Sequence, residues 1–217
     1  MFENNSCHPD TFKDRLGKEW QIEALSHKPF PSGRLTHGVV HALMQLQKEH
    51  DLKARNIESI VCTVPPLVHR LVGRPIIDNM EANYAKLCLR FVAGVYLEHG
   101  WVDIPHFLGD ELNNPAVLAI ADKVDVIEDA NPDLNALNPQ HIAVELDSGK
   151  KLELTLDSVY GDPLSPLTDD ENIEKFSRCC SKSKIPLTEK KQQDIIQMVN
   201  TLEQQSDVTA LIATMAL

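Results

Sequence analysis

The 217-residue sequence predicts an α+β fold: a two-layer domain with a mostly antiparallel sheet backed by helices, followed by a tail of C-terminal helices. Three observations carry this. Apolar residues recur at helical spacing after Thr36 and again across 79–100. Three segments between 123 and 159 read as strands, two of them with apolar residues at every second position. Beyond 168 the periodicity returns to that of helices. The predicted organisation is a lead-in segment at 1–25, an α+β domain at 26–160 and a C-terminal helical segment at 161–217.

In chain order, the lead-in alternates polar and apolar residues poorly and offers at most one helical turn. Thr36 stands where an N-cap belongs, and Val39, Val40, Leu43, Met44 and Leu46 then mark an amphipathic helix to about His50. "IESIVCTVPP" (57–66) is a strand with Ile60, Cys62 and Val64 on one face, stopped by two prolines. Residues 79–100, apolar nearly all round apart from Lys86 and Arg90, predict a buried central helix ended by Gly100. Short helices are expected near 103–108 and 115–121, and strands at 123–129, 141–147 and 151–159. The last two strands flank Asp147-Ser148-Gly149-Lys150 and form a hairpin with one wet face. Helices follow at about 169–183, 187–205 and 207–215, the first begun by Thr168 with Glu171 at capping-box distance.

Composition narrows the function classes. A net charge of −11 falls unevenly: residues 1–110 hold 12 Lys/Arg against 13 Asp/Glu, residues 111–217 hold 9 against 19. Such a chain repels nucleic acid and anionic membrane, so neither is an expected partner. No apolar run approaches the roughly 18 residues of a membrane span, and the start lacks a signal peptide's basic and apolar regions, which places the expected location in the cytoplasm. Five cysteines without a C-x-x-C pair argue against disulfides or a cysteine zinc site and read as buried thiols. Local cation pairs, Lys28 with Arg34, Arg70 with Arg74 and Lys86 with Arg90, suit either a small anion or solvated faces.

No phosphate-binding glycine motif and no G-x-S-x-G elbow is present, which disfavours a nucleotide cofactor and the common serine hydrolases. His37 and His41 have the i, i+4 spacing of a zinc pair, but no Glu follows the first and no third ligand is placed by spacing, so no metal is assigned. There remains "KPFPSGR" (28–34). Pro29 and Pro31 hold Lys28 and Phe30 extended, and Gly33 permits a bend before Arg34. A stiff loop bearing Lys and Arg is either a carboxylate clamp or a connector.

The blocks "HKPFPSGRLTHGVVHAL", "NYAKLCLRFVAGVYLEHGWVDIPHF", "ADKVDVIED" and "YGDPLSPLT" stand in the order expected of the MmgE/PrpD family, which includes 2-methylcitrate dehydratase, cis-aconitate decarboxylase and iminodisuccinate epimerase. The chain resembles only the second half of such proteins. The resemblance implies lyase or isomerase chemistry on a small di- or tricarboxylate, without a cofactor, in a homodimer or in complex with a helical-domain partner. It implies that Lys28 is the catalytic lysine between two domains, pairing with a substrate carboxylate, with Arg34 and His37 assisting in substrate binding. Tyr84 is a further candidate, with packing between domains as its alternative role. Where the cis-aconitate decarboxylase branch has a histidine in this loop, this sequence has Gly33, which disfavours that decarboxylation. The family's other acid/base residues lie in the helical half, which has no counterpart here. Of the family's reactions dehydration is the expected one, with epimerisation of a dicarboxylate as one alternative and a catalytically silent interaction or dimerisation module as the other.

Overall fold

A computed structural model describes residues 9–215 of the chain. The thiol of Cys7 and the first and last few residues of the expected terminal segments lie outside that range. Among the described residues the four strands are β1 (Ile57–Val64), β2 (Val124–Glu128), β3 (Gln140–Leu146) and β4 (Lys151–Leu156), in the order β2-β1-β3-β4. β1 pairs antiparallel with β3 and β3 with β4, whereas β1 and β2 run parallel. That parallel pair follows from its long helical connection, since a short turn joins only antiparallel neighbours. The mostly antiparallel, α+β architecture is as the sequence predicts.

The helices are α1 (Pro9–Arg15), α2 (His37–Glu49), α3 (Pro66–Val72), α4 (Ala82–Ala85), α5 (Leu89–His99), α6 (Pro115–Ala121), α7 (Asp169–Ser181), α8 (Glu189–Asn200) and α9 (Thr209–Met215). α2 lies against β3 and β4, α5 against β2 and α2, and α6 closes over α5. The inner face of β3 buries Gln140, Ile142, Val144 and Leu146, alternating with half-exposed residues, and β4 adds Leu152 and Leu156. This is the period of two that marked the hairpin. Gly149, at φ +79°, makes the turn. One apolar cluster runs from Phe30 to Leu167, and removing any one of its fully buried Leu, Ile or Phe side chains would cost about 2–5 kcal/mol.

Four expectations need correction. The helix expected over 79–100 is two, α4 and α5, because Cys88 is extended, at φ −100° and ψ 104°, and forms a β-bridge with Gly73. The 73–75 segment holds that break: the Cys88 thiol donates to the Arg74 carbonyl (3.3 Å) and the Tyr84 hydroxyl to that of Pro75 (2.8 Å). Thr36 does not cap α2. A 3-10 turn over Arg34–Thr36 runs into the helix, and the Thr36 hydroxyl donates back to the Gly33 carbonyl at 2.8 Å. Pro66 starts α3, a helix the sequence reading left out, since proline at N1 has no helical N–H to lose. Cys179 is exposed, while Cys62, Cys88 and Cys180 are buried as expected.

The C-terminal helices are attached differently. The Thr168 capping box forms as read, with the Glu171 amide donating to the Thr168 hydroxyl. Beyond it α7 buries only Cys180, α8 only Ile195, and α9 no described residue.

Candidate active site

The loop 27–36 is pinned at both ends. The His27 amide donates to the Gly161 carbonyl (2.7 Å) and the Gly33 amide to that of Lys86 (2.7 Å). Gly33 is needed for this approach: a Cβ there would stand 2.6 Å from Leu87 Cδ2 and 3.3 Å from the Lys86 oxygen. Gly161, at φ +92°, is equally constrained, with the His27 oxygen 2.3 Å from where its Cβ would be. Between the pins Ser32 and Thr36 share a buried hydroxyl contact of 2.9 Å. The backbone that carries Lys28 is thereby fixed from both sides.

Lys28 is exposed and lies on the wall of a hollow of about 250 Å³. Pro29, Phe30, Pro31, Trp101, Val102 and Ile104 make that wall apolar; Asp103, Lys175, Arg178 and Cys179 complete it. The hollow lies between the α+β unit and α7. Phe30 is the keystone of its floor, meeting Trp101 edge-on at 5.0 Å and His37 edge-on at 5.2 Å. The Arg178 guanidinium covers the other face of the site, 4.5 Å above the Trp101 ring, and is held by Glu174 at 2.6 Å.

The other expected site residues are placed away from this opening. His37 is fully buried beneath Phe30, and neither ring nitrogen has a hydrogen-bond partner. Burial pushes its pKa down to about 3, with Arg34 and Lys28 adding to the shift and the backbone of Ser32 opposing it. At neutral pH it is an uncharged packing group. Arg34 turns to the far side of the loop and donates to the Val159 carbonyl at 3.1 Å; burial lowers its pKa while Asp162 opposes this. Tyr84 donates to Pro75 under the Arg74 guanidinium, 4.9 Å from the ring. Of the four, Lys28 alone lines the hollow.

The histidines at i and i+4 do not converge on a shared ligand. The Tyr160 amide donates to His41 Nδ1 at 3.1 Å, which leaves the proton on Nε2, 2.8 Å from the Gln45 side-chain amide. An Nε2–H needs an acceptor there, so Gln45 presents its oxygen. No group of three or more His, Cys, Asp or Glu among the described residues could hold a metal ion. The Lys86–Arg90 pair is used internally: Arg90 binds the Val124 carbonyl and Asp125, and Lys86 sits over Phe107; of the other pair, Arg74 donates to the Leu71 carbonyl and Arg70 is exposed.

Sequence reasoning missed Trp101, Lys175 and Arg178. The signal was present in part. The Thr168 capping box fixes the phase of α7, which puts 175, 178 and 179 on one face; nothing local says that this face meets the 28–31 loop.

The family model for the MmgE/PrpD C-terminal domain matches residues 30–204. Cis-aconitate decarboxylases of Mus musculus and Homo sapiens are each 28% identical to the chain over 195 residues, 86% of this chain. The chain spans 38% and 39% of the length of these two relatives.

Proposed function

Given that the chain belongs to the MmgE/PrpD family, we propose that it forms the C-terminal part of a lyase acting on a small di- or tricarboxylate, by proton abstraction next to a carboxylate and elimination of water. The observation that carries this reading is the Lys28 ammonium. It stands on a proline-stiffened loop, on the wall of an apolar hollow, with no ion pair or hydrogen bond among the described residues. An ammonium so placed binds one carboxylate and stabilises the charge that builds on it as the neighbouring C–H loses its proton.

The departing hydroxyl takes a proton and leaves as water, so the reaction needs a base and an acid, each within about 3 Å of its target. This chain lends neither readily. Its hollow offers two lysines, an arginine, the exposed Cys179 thiol and Asp103, whose carboxylate already accepts the Ile104 amide at 2.7 Å. In this reading the acid and base come from a helical partner or from a helical half of the same protein. Arg34 anchors the loop to Val159, His37 seats Phe30, and Tyr84 fastens the segment on which Gly33 rests; all three serve Lys28 from behind.

The relatives are named for decarboxylation of cis-aconitate. The packing at Gly33 speaks against that decarboxylation here, because a histidine at that position would have to displace Leu87. Epimerisation shares the proton abstraction and differs only in returning the proton to the other face. A second reading, a silent interaction module, is favoured by the bare apolar residues Ile185, Val199, Val208 and Ile212 on and around α8 and α9.

The test is turnover of 2-methylcitrate-like hydroxy acids by the chain joined to a helical half, followed by ultraviolet absorbance of the new double bond. Lys28→Ala is expected to lower turnover about 100-fold or more, the scale for removing one charge-stabilising donor. Unchanged turnover contradicts the role of Lys28. A folded homo-oligomer that turns over none of these acids, with or without the helical half, supports the module.

A further inference from the structure

We propose that Lys175 of α7 is a second carboxylate-binding residue, so that the hollow holds a polycarboxylate at two points, one on Lys28 and one on Lys175. This rests on the reading of Lys28 given above and names what that site selects. The two lysines come from separate parts of the chain, the 27–36 loop and the middle of α7, yet line the same hollow. Lys175, like Lys28, has no ion pair or hydrogen bond among the described residues.

The charges around the hollow do not balance internally. Lys28, Lys175 and Arg178 face a single lining carboxylate, Asp103. Asp103 is engaged at the start of the 3-10 turn Ile104–Phe107, where its side chain accepts the Ile104 amide and its own amide donates to His106 Nδ1 at 3.0 Å. Arg178 is committed to Glu174 and to the face of Trp101. Two ammonium groups are thus left without counter-charge beside a concave surface, which concentrates their field on whatever enters.

The lining suits the rest of such a ligand. Trp101 and Ile104, neither of them buried, offer apolar surface for a short carbon skeleton between carboxylates, above the buried Pro29 and Phe30. At about 250 Å³ the hollow falls just below the roughly 300–1,000 Å³ of sites for drug-sized ligands, which matches a smaller acid. Two cations on separate segments favour a molecule with two carboxylates over one with a single carboxylate, because a lone carboxylate gains from one lysine at a time.

The test is isothermal titration of the 217-residue chain with citrate and, separately, with acetate, at low ionic strength, where such pairs are least screened. Lys175→Ala is expected to weaken citrate about ten-fold or more, Lys175→Arg to restore most of the loss, and neither to alter acetate more than two-fold. Lys175 is half-exposed and unbonded, so circular dichroism of both variants is expected to match the parent. Citrate binding unchanged in Lys175→Ala but lost in Lys28→Ala overturns this inference and leaves the reading of Lys28 standing. Citrate binding unchanged in both variants, or absent from the parent chain, overturns both. Equal loss of citrate and acetate in Lys175→Ala overturns the two-point attachment.

Discussion

Two hollows formed by the described residues differ in size and in charge, and the larger is the poorer candidate for chemistry. One, of about 550 Å³, is lined by residues 18–21, 23–24 and 162–164; the other, of about 250 Å³, holds Lys28. The large hollow has Lys18 against Glu19, Glu23 and Asp162, and two of its lining residues, Trp20 and Leu164, are 66% and 85% exposed. The small one has three cations against one carboxylate and a floor in which buried Phe30 packs on buried His37 and on half-buried Trp101. Size records only where two segments fail to meet. Charge excess on a rigid frame is what recognises an anion, and the chain has built that at the smaller opening.

The largest expected difference between the two comes from acid. The floor of the small hollow rests on His37, neutral in the fold down to about pH 3, whereas the unfolded chain takes up that proton near pH 6.5. Its contribution is complete above about pH 6.5 and is lost as pH falls from there toward 3, amounting to about 3 kcal/mol by pH 4. Urea midpoints measured from pH 7 to pH 4 are expected to fall accordingly, and His37→Phe or His37→Leu to flatten that decline. Equal slopes in parent and variants would show that His37 is not the titrating group.

Next in size is charge reversal. Lys28→Glu is expected to weaken citrate binding about 30-fold or more, roughly 2 kcal/mol. Lys18→Glu, the same change in the other hollow, is expected to leave affinity within two-fold. Comparable losses from both would mean that net charge, rather than the small hollow, attracts the anion.

Smaller again is the cap of α7. Thr168→Ala removes the oxygen that accepts the Glu171 amide and is expected to cost about 1 kcal/mol in thermal or urea unfolding. Smallest is Leu164→Ala in the large hollow, within about 0.5 kcal/mol of the parent, since the side chain is already in water. A loss above 1 kcal/mol there would show that the large hollow is built more tightly than its exposure implies.

The same contrast separates what was legible in the sequence from what was not. The β3–β4 hairpin was readable because both strands alternate strictly and Gly149 punctuates them. Gly100 ended α5 and Thr168 began α7 for equally local reasons, a left-handed residue and a capping box. The break at Cys88 was not readable, because it depends on the 73–75 segment lying beside it, a contact across 13 to 15 residues. The site divides in the same way. The stiffness of the Lys28 loop follows from its prolines, but the burial of His37 follows from Phe30 folding over it, and the meeting of Lys175 with that loop follows from how α7 docks. The resemblance supplied the family and the loop; the direction in which each side chain points is tertiary information.

The chain has two tryptophans, and each lines one hollow: Trp20 the large, Trp101 the small. The most direct test is therefore a ¹H–¹⁵N spectrum of the whole chain as citrate is added at low salt, read at the two indole N–H signals. The Trp101 signal is predicted to move and saturate while that of Trp20 stays in place. Movement of Trp20 without Trp101, or of neither, would contradict a carboxylate site at Lys28.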